Sequence, residues 1–180
     1  MLILCGKTAS GKDTIVEKLM NYGYKRITTY TTRPMRDGEE NGITYHFISE
    51  DEFKQNIEEG FFAEYKTYNT VFGVWYYGTA IEDLENADDK TVIILTPQGY
   101  RDIKDKLSNN NVSCVYIYAG ISTLKKRLSK RGDDPNEADS RLQRDNRDFK
   151  GFETEADKIV YNNEGTDIDE VIEKILEIVR

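Results

Sequence analysis

Glycines, lysines and hydroxyl groups are concentrated in one short stretch near the start of the chain, Gly6-Lys7-Thr8-Ala9-Ser10-Gly11-Lys12-Asp13-Thr14. The chemistry such a stretch can do is hold phosphate. Gly6 and Gly11 let the backbone curl until its amide N–H groups point inward, and the N-terminus of a following helix adds partial positive charge. Lys12 supplies a full charge that can follow phosphate oxygens from ground state to transition state. The eight-residue phosphate-loop pattern has Ser or Thr directly after its lysine, whereas here Asp13 stands there and Thr14 comes one place later. A glycine-rich turn closed by a capping Asp would share much of this pattern. The flanks separate the two, because Leu2-Ile3-Leu4-Cys5 reads as a buried strand and Ile15, Val16, Leu19 and Met20 recur at helical spacing.

A second concentration of polar chemistry runs from Thr29 to Ser49, where hydroxyls and the two arginines Arg33 and Arg36 crowd a span broken by Pro34, Gly38 and Gly42. Those breakers forbid a helix.

The elements that must position these groups follow from periodicity. A helix runs from near Asp13 to about Asn21, and Lys25 to Thr29 reads as a short strand. Alternation from Ile43 to Ile48 predicts another strand, and Ser49-Glu50-Asp51-Glu52 opens a helix with Phe53 and Ile57 on one face. Phe61–Tyr68 and Val71–Tyr77 read as strands of a small sheet. Ala80–Ala87 reads as a helix, Thr91–Leu95 as a buried strand, and 99–109 as an amphipathic helix. Strands over Val112–Ala119 and Lys158–Tyr161 and helices over Ser122–Lys130 and Glu137–Phe149 follow. A closing helix carries Ile168, Val171, Ile172, Ile175, Leu176 and Val179 inward. Apolar strands alternating with helices predict an α/β fold built on a parallel sheet. One domain over 1–180 is expected, with a core of 1–32 and 80–180. A mixed-β lobe over about 33–79 interrupts it, and a mobile lid spans about 127–149.

Composition limits the functions. At 180 residues, with 32% charged and 38% hydrophobic residues, the chain is long enough for a buried core. Its net charge of −8 argues against a nucleic-acid polymer as partner. No apolar run is long enough for a membrane span and no signal segment is visible, so a cytoplasmic protein is expected. Cys5 and Cys114 lie in strand-like runs and are expected as buried thiols. His46 is the single histidine, which disfavours histidine-based triads and histidine-rich metal sites.

The stretch Thr31-Thr32-Arg33-Pro34-Met35-Arg36-Asp37-Gly38-Glu39 through Tyr45-His46-Phe47 resembles the guanylate kinase family. So do Glu64, Tyr76-Tyr77-Gly78-Thr79, Gln98-Gly99, Arg131-Gly132, Arg141-Leu142 and Asp157-Lys158-Ile159-Val160, in order along essentially the whole chain. The resemblance implies a P-loop nucleoside monophosphate kinase that moves the γ-phosphoryl of ATP to GMP or dGMP with Mg²⁺, as a monomer or homodimer. It implies that Gly6, Thr8, Ala9, Ser10, Gly11, Lys12, Asp13, Thr14 and Asn162 contact ATP. Arg33, Arg36, Tyr45 and Tyr77 would clamp the acceptor phosphate, and Thr29, Glu64 and Thr79 would read the base. Lys12, Arg131 and Arg141 would stabilise the transferring group, with Arg144 an alternative to Arg141 because the lid is one residue short of the common spacing.

Two departures stand out. The family carries aspartates ahead of Gln-Gly, where this chain has Ile94-Leu95-Thr96-Pro97. The segment between Glu64 and Tyr77 is also longer than usual, which leaves room for a different acceptor base. The loss of carboxylates on one strand and the gain of Asp13 lead to the expectation that Asp13, with Thr14, takes the metal-directed role close to that strand end. A helix cap is the plainer reading of Asp13. A non-catalytic guanylate-kinase-like binding module is the alternative from another class, but such modules tend to lose the loop lysine, and Lys12, Arg33, Arg36 and Arg131 are all present.

Overall fold

A computed structural model describes residues 1–107 and 112–179. The first strand, β1 (Leu2–Cys5), is buried along its whole length and lies at the centre of a five-stranded sheet. It is followed by α1 (Lys12–Met20), β2 (Lys25–Arg26), β3 (Tyr30–Thr31), β4 (His46–Phe47), α2 (Glu50–Glu58), β5 (Phe62–Thr70) and β6 (Gly73–Ala80). Then come α3 (Ile81–Glu85), β7 (Thr91–Leu95), α4 (Pro97–Lys104), β8 (Ser113–Tyr118), α5 (Ile121–Arg131), α6 (Pro135–Asp148), β9 (Lys158–Tyr161) and α7 (Ile168–Ile178).

The main sheet has the order β2-β7-β1-β8-β9, and every pairing is parallel. A parallel sheet needs cover on both faces, and the alternation in β1 supplies it. Ile3 and Cys5 point into a core with Ile93, Leu95, Cys114, Tyr116 and Phe152, while Leu2 and Leu4 face Ile15, Leu19, Val115, Ile172 and Ile175 on the other side. Cys5 and Cys114 are buried and unpaired by disulfide, as expected. The crossover from β1 through α1 therefore places the phosphate-loop stretch at the carboxyl end of the central strand, where open α/β sheets bind ligands.

The second sheet, in the order β4-β3-β6-β5, is mixed: β3 and β4 run parallel, and the other pairs antiparallel. Several sequence expectations shift here. The strand predicted over 25–29 is divided between sheets. Ile27 still bonds through its N–H to Val92 O, and then Tyr30–Thr31 joins the second sheet. The strand predicted over 43–48 shrinks to His46–Phe47, because Gly42 N–H bonds to Tyr45 O and Thr44 N–H to Glu40 O in a turn that leaves Ile43 exposed. Val71 and Phe72 are not strand. They form the two-residue turn between β5 and β6, closed by the Thr70–Gly73 pair. The amphipathic helix predicted over 99–109 begins earlier, at Pro97 with Thr96 as its cap, and runs to Lys104. Ser108 and Asn109 lie outside the described residues. Among the described residues no helix is long and apolar enough to cross a membrane.

Candidate active site

The loop between β1 and α1 is shaped from below by Asn162, which follows β9 and is 5% exposed. Its Nδ2 donates to Ser10 O at 2.8 Å, and its Oδ1 accepts from Arg127 NH2 at 3.4 Å. Arg127 NH1 in turn donates to Ala9 O at 3.2 Å. Gly11 has φ +96, and a Cβ there would meet Asn162 Nδ2 at 2.4 Å, so this position admits only glycine without rearrangement. Asn162, expected beside the donor nucleotide, thus also supports the loop. Ala9 is the single non-glycine with positive φ among the described residues, a strain consistent with a loop formed around a ligand.

Lys12 folds back over the loop, with Nζ 2.7 Å from Gly6 O and 3.0 Å from Lys7 O. Burial lowers its pKa, and the carboxylates of Asp13 and Asp145 pull the other way. Asp145, on α6, is the most informative neighbour. Its Oδ2 accepts from the Thr8 N–H at 2.5 Å, and next to it Asn146 Oδ1 accepts from Lys7 Nζ at 2.7 Å. The Thr8 amide thus already takes an anionic oxygen, as an inward-pointing loop N–H can. Burial holds the Asp145 carboxyl above the ordinary range, partly offset by the Thr8 N–H and Lys12.

Two hollows meet at Lys12. The inner one, about 200 Å³, is lined among others by Gly6, Thr8, Lys12, Thr29, Tyr45, Glu64, Tyr77 and Arg141. The outer one, about 490 Å³, is lined by Ala9, Gly11, Lys12, Asp13, Thr14, Arg127, Arg131, Asn162, Thr166 and Ile168. Asp13 lines the outer hollow, and Ile94, Leu95 and Thr96 line the inner one, with Lys12 on the wall of both. Asp13 Oδ1 pairs at 3.0 Å with Arg26, whose NH2 also reaches Thr44 O at 3.0 Å. It makes no side-chain cap to α1.

The inner hollow ends in a polar pair. Thr79 Oγ1 donates to Glu64 Oε1 at 2.6 Å. Burial raises the Glu64 pKa, with the Thr79 hydroxyl and Lys66 opposing. A Cβ on Gly99 would lie 3.0 Å from Glu64 Oε2, so the glycine at the start of α4 leaves room for this carboxylate.

Arginines gather at the other end. Arg33, 3% exposed, donates to Glu39 Oε1 at 2.7 Å and to Pro34 O at 2.6 Å, and sits 5.5 Å from the Tyr45 and Phe47 ring centres. The Arg36 side chain has no hydrogen-bond partner among the described residues. Burial, followed by the charges of Arg33, Arg141 and Arg131, brings its pKa down to about 10. Tyr45 packs edge-on against Tyr77, and burial pushes its phenol well up. Arg131 makes a two-point pair with Asp133. Burial alone would raise the Asp133 pKa, but Arg131, Arg36 and Arg141 bring it below the ordinary value. Arg141 Nε bonds to Glu137 Oε1 at 2.9 Å, leaving its two terminal nitrogens without a partner among the described residues. Arg144 has both terminal nitrogens engaged, with NH1 on Asn69 O and Ser140 Oγ and NH2 on Glu137 Oε1.

Sequence reading missed Arg26, Arg127, Glu137 and Asp145. Three had a visible signal: Arg127 precedes Arg131 by four residues, Glu137 precedes Arg141 by four, and Asp145 follows Arg141 by four, the spacing of one helix face.

A parallel sheet, a glycine loop at its central strand and convergent cations define a P-loop phosphotransferase fold. The family model described as Guanylate kinase matches residues 1–180. A guanylate kinase of Sulfurimonas denitrificans is 37% identical over 140 residues, covering 74% of this chain and 66% of that protein. One from Bdellovibrio bacteriovorus is 30% identical over 186 residues, covering 98% of this chain and 97% of its own. A crystal structure of guanylate kinase from Anaplasma phagocytophilum superposes with a TM-score of 0.70 at 22% identity, over 100% of this chain and 84% of that one, and is similar in fold. The chain belongs to the guanylate kinase family.

Proposed function

We propose that the protein transfers the γ-phosphoryl group of ATP to GMP or dGMP. The observation that carries this reading is that Lys12 lines both hollows, so that a nucleotide in each would meet at its ammonium. The inner hollow would take the acceptor. Glu64, ionised, accepts from the N1–H and 2-amino group of guanine, which adenine does not offer as a donor pair, and Thr79 and Thr29 contribute hydroxyls. Arg33, Arg36, Tyr45 and Tyr77 hold the acceptor phosphate.

The outer hollow would take ATP, with the loop amides, Thr14, Arg127 and Asn162 around its phosphates and nucleoside. An acceptor phosphate oxygen attacks the γ-phosphorus as the bond to the bridging β–γ oxygen breaks, and ADP leaves. No side chain acts as nucleophile. Lys12, Arg131 and Arg141 compensate the charge on the equatorial oxygens. Arg141 suits this role better than Arg144, because its terminal nitrogens are available. ATP's phosphate must displace Asp145 from Thr8 as it enters.

Mg²⁺ keeps several waters and needs few protein oxygens. The Asp13 carboxylate and Thr14 hydroxyl, exposed side by side on the outer hollow, fit that demand, although no cluster of three or more acidic, His or Cys groups exists among the described residues. These two residues would hold it, directly or through water. Bound there, Mg²⁺ would supply positive charge to the donor phosphates. The buried, unbridged thiols of Cys5 and Cys114 suit a reducing compartment such as the cytoplasm, and the family resemblance suits a monomer or homodimer.

The test is a coupled ADP-release assay with Mg-ATP and a panel of GMP, dGMP, AMP, UMP, CMP and dTMP. Turnover confined to GMP and dGMP is expected. Turnover with another base would mean a rewritten acceptor pocket, and no turnover with any acceptor, with ATP still bound, would overturn the reading in favour of a binding module.

A further inference from the structure

Glu137 is the one glutamate among the buried residues, 4% exposed, although it sits in the first turn of a lid helix that is otherwise largely solvated. Asp134 caps that helix by accepting from the Glu137 N–H at 2.9 Å, which fixes the backbone from which the side chain departs. Both of its carboxylate oxygens are used. Oε1 accepts from Arg141 Nε at 2.9 Å and from Arg144 NH2 at 3.0 Å, and Oε2 accepts from the backbone N–H of Val71 at 3.2 Å.

Val71 is at the tip of the β5–β6 hairpin, so one carboxylate joins the lid to the acceptor lobe. Arg144 returns the contact through NH1 on Asn69 O at 2.9 Å. The hairpin also forms the bed on which both guanidiniums lie: Arg141 is 5.1 Å from the Trp75 ring centre and Arg144 5.8 Å from that of Tyr68. Arg141, held through Nε and by the ring beneath it, keeps both terminal nitrogens for a ligand in the inner hollow that it lines.

We propose that Glu137 is a positioning residue for the phosphoryl transfer. It fixes Arg141 through Nε so that the terminal nitrogens meet the transferring phosphoryl, and it ties this arrangement to the acceptor-lobe hairpin through Val71. Acceptor binding and donor binding are thereby linked, because the hairpin that flanks the acceptor is bonded to the group that aims the lid arginine. A buried carboxylate shared by two arginines would also act as a plain structural staple, and the distinction lies in kinetics. A staple changes stability, whereas a positioning group changes kcat with little effect on KM.

The inference rests on the guanylate kinase reading, and the experiment separates the two. Steady-state kinetics with Mg-ATP and GMP are measured for wild type, Glu137→Gln and Val71→Pro, with thermal melts to establish the folded fraction. Val71→Pro removes the third hydrogen bond at an exposed hairpin-tip position whose φ is not positive, and its ring takes the place of the N–H that meets Glu137 Oε2, so the carboxylate must turn away from the hairpin. Glu137→Gln is expected to lower kcat by on the order of ten- to a hundredfold, the range for hydrogen bonds to charged groups, with both KM values changed by less than about threefold. In Val71→Pro, saturating GMP is expected to tighten a non-hydrolysable ATP analogue less than it does in wild type. Folded variants with wild-type kcat and undiminished coupling would overturn the inference alone. A wild-type protein inactive on GMP would overturn the functional reading instead.

Discussion

Arg36 offers a test in which activity and stability are expected to move in opposite directions. Its pKa falls from the ordinary guanidinium value to about 10 through burial and then through the charges of Arg33, Arg141 and Arg131. The folded pKa lies below the unfolded one, so the charged form is penalised in the folded protein at every pH below about 10. The penalty is relieved only as pH rises from about 10 toward the ordinary guanidinium value. At about 1.4 kcal/mol per pKa unit the full shift corresponds to roughly 3 kcal/mol. Discounting for the partial solvent exposure of the side chain leaves about 1–2 kcal/mol.

That shift is net of the attraction of Asp133, and no hydrogen bond offsets it in the protein alone, because the guanidinium has no hydrogen-bond partner among the described residues and only the backbone N–H bonds, at 2.8 Å, to Glu39. Arg36→Gln is therefore expected to raise the melting temperature by about 2–8 °C at pH 7, given 2–4 °C per kcal/mol for a chain of this size. The same substitution removes charge-assisted bonds to the acceptor phosphate and is expected to raise KM for GMP by about ten- to a hundredfold. Scanning calorimetry with and without GMP, together with the ADP-release assay, reads both effects. In saturating GMP the order of melting temperatures should invert, since ligand stabilises wild type more. A variant that melts lower than wild type without ligand, or binds GMP unchanged, would refute the idea that this cation cluster is held ready for an anion.

The remaining predictions follow from single contacts. Glu64→Gln should raise KM for GMP at least about tenfold and narrow its preference over AMP in the acceptor panel. Because the Glu64 pKa is raised and the ionised form is the one that accepts from guanine, kcat/KM for GMP should fall with pH, with a midpoint above the ordinary glutamate value of 4.5. The acid limb should vanish in the Gln variant. Asp13→Ser should shift the Mg²⁺ dependence of turnover to higher concentration. An unchanged Mg²⁺ titration would leave Asp13 only the pairing with Arg26. Gly11→Ala should destabilise by roughly 2–3 kcal/mol, from the left-handed backbone and the Asn162 clash, and abolish turnover. Chemical denaturation and the ADP-release assay check it.

What was legible in the sequence was what depends on neighbours along the chain. The phosphate loop is one continuous stretch, and β1, β7 and β8 announce themselves as apolar runs, so Lys12 and its helix were placed correctly, whereas β2 is only Lys25–Arg26. The Thr31-to-Phe47 stretch brought Arg33, Arg36 and Tyr45 forward through its family resemblance, and the structure sets Arg33 5.5 Å from the Tyr45 ring centre. Asp13 shows where that approach stops, because its orientation is decided by Arg26, thirteen residues away on an adjacent strand. Asp145 on Thr8 and Glu137 on Val71 are likewise set by how the lid helix docks, over separations of 137 and 66 residues.

The lengthened segment between Glu64 and Tyr77 illustrates both sides. Extra residues there suggest a displaced base-reading carboxylate, yet a hairpin absorbs length at its tip. Glu64 pairs with Thr79 at the base of the ladder, and register is continuous from there to Thr70–Gly73. The pair that faces the inner hollow is therefore independent of how far the hairpin extends. The tip of the hairpin is where Asn69, Val71 and Trp75 meet Arg144, Glu137 and Arg141. A hairpin that keeps its base in register and touches α6 at its tip separates the two, so substitutions at the tip are expected to act on kcat and on the coupling between nucleotides rather than on the choice of base.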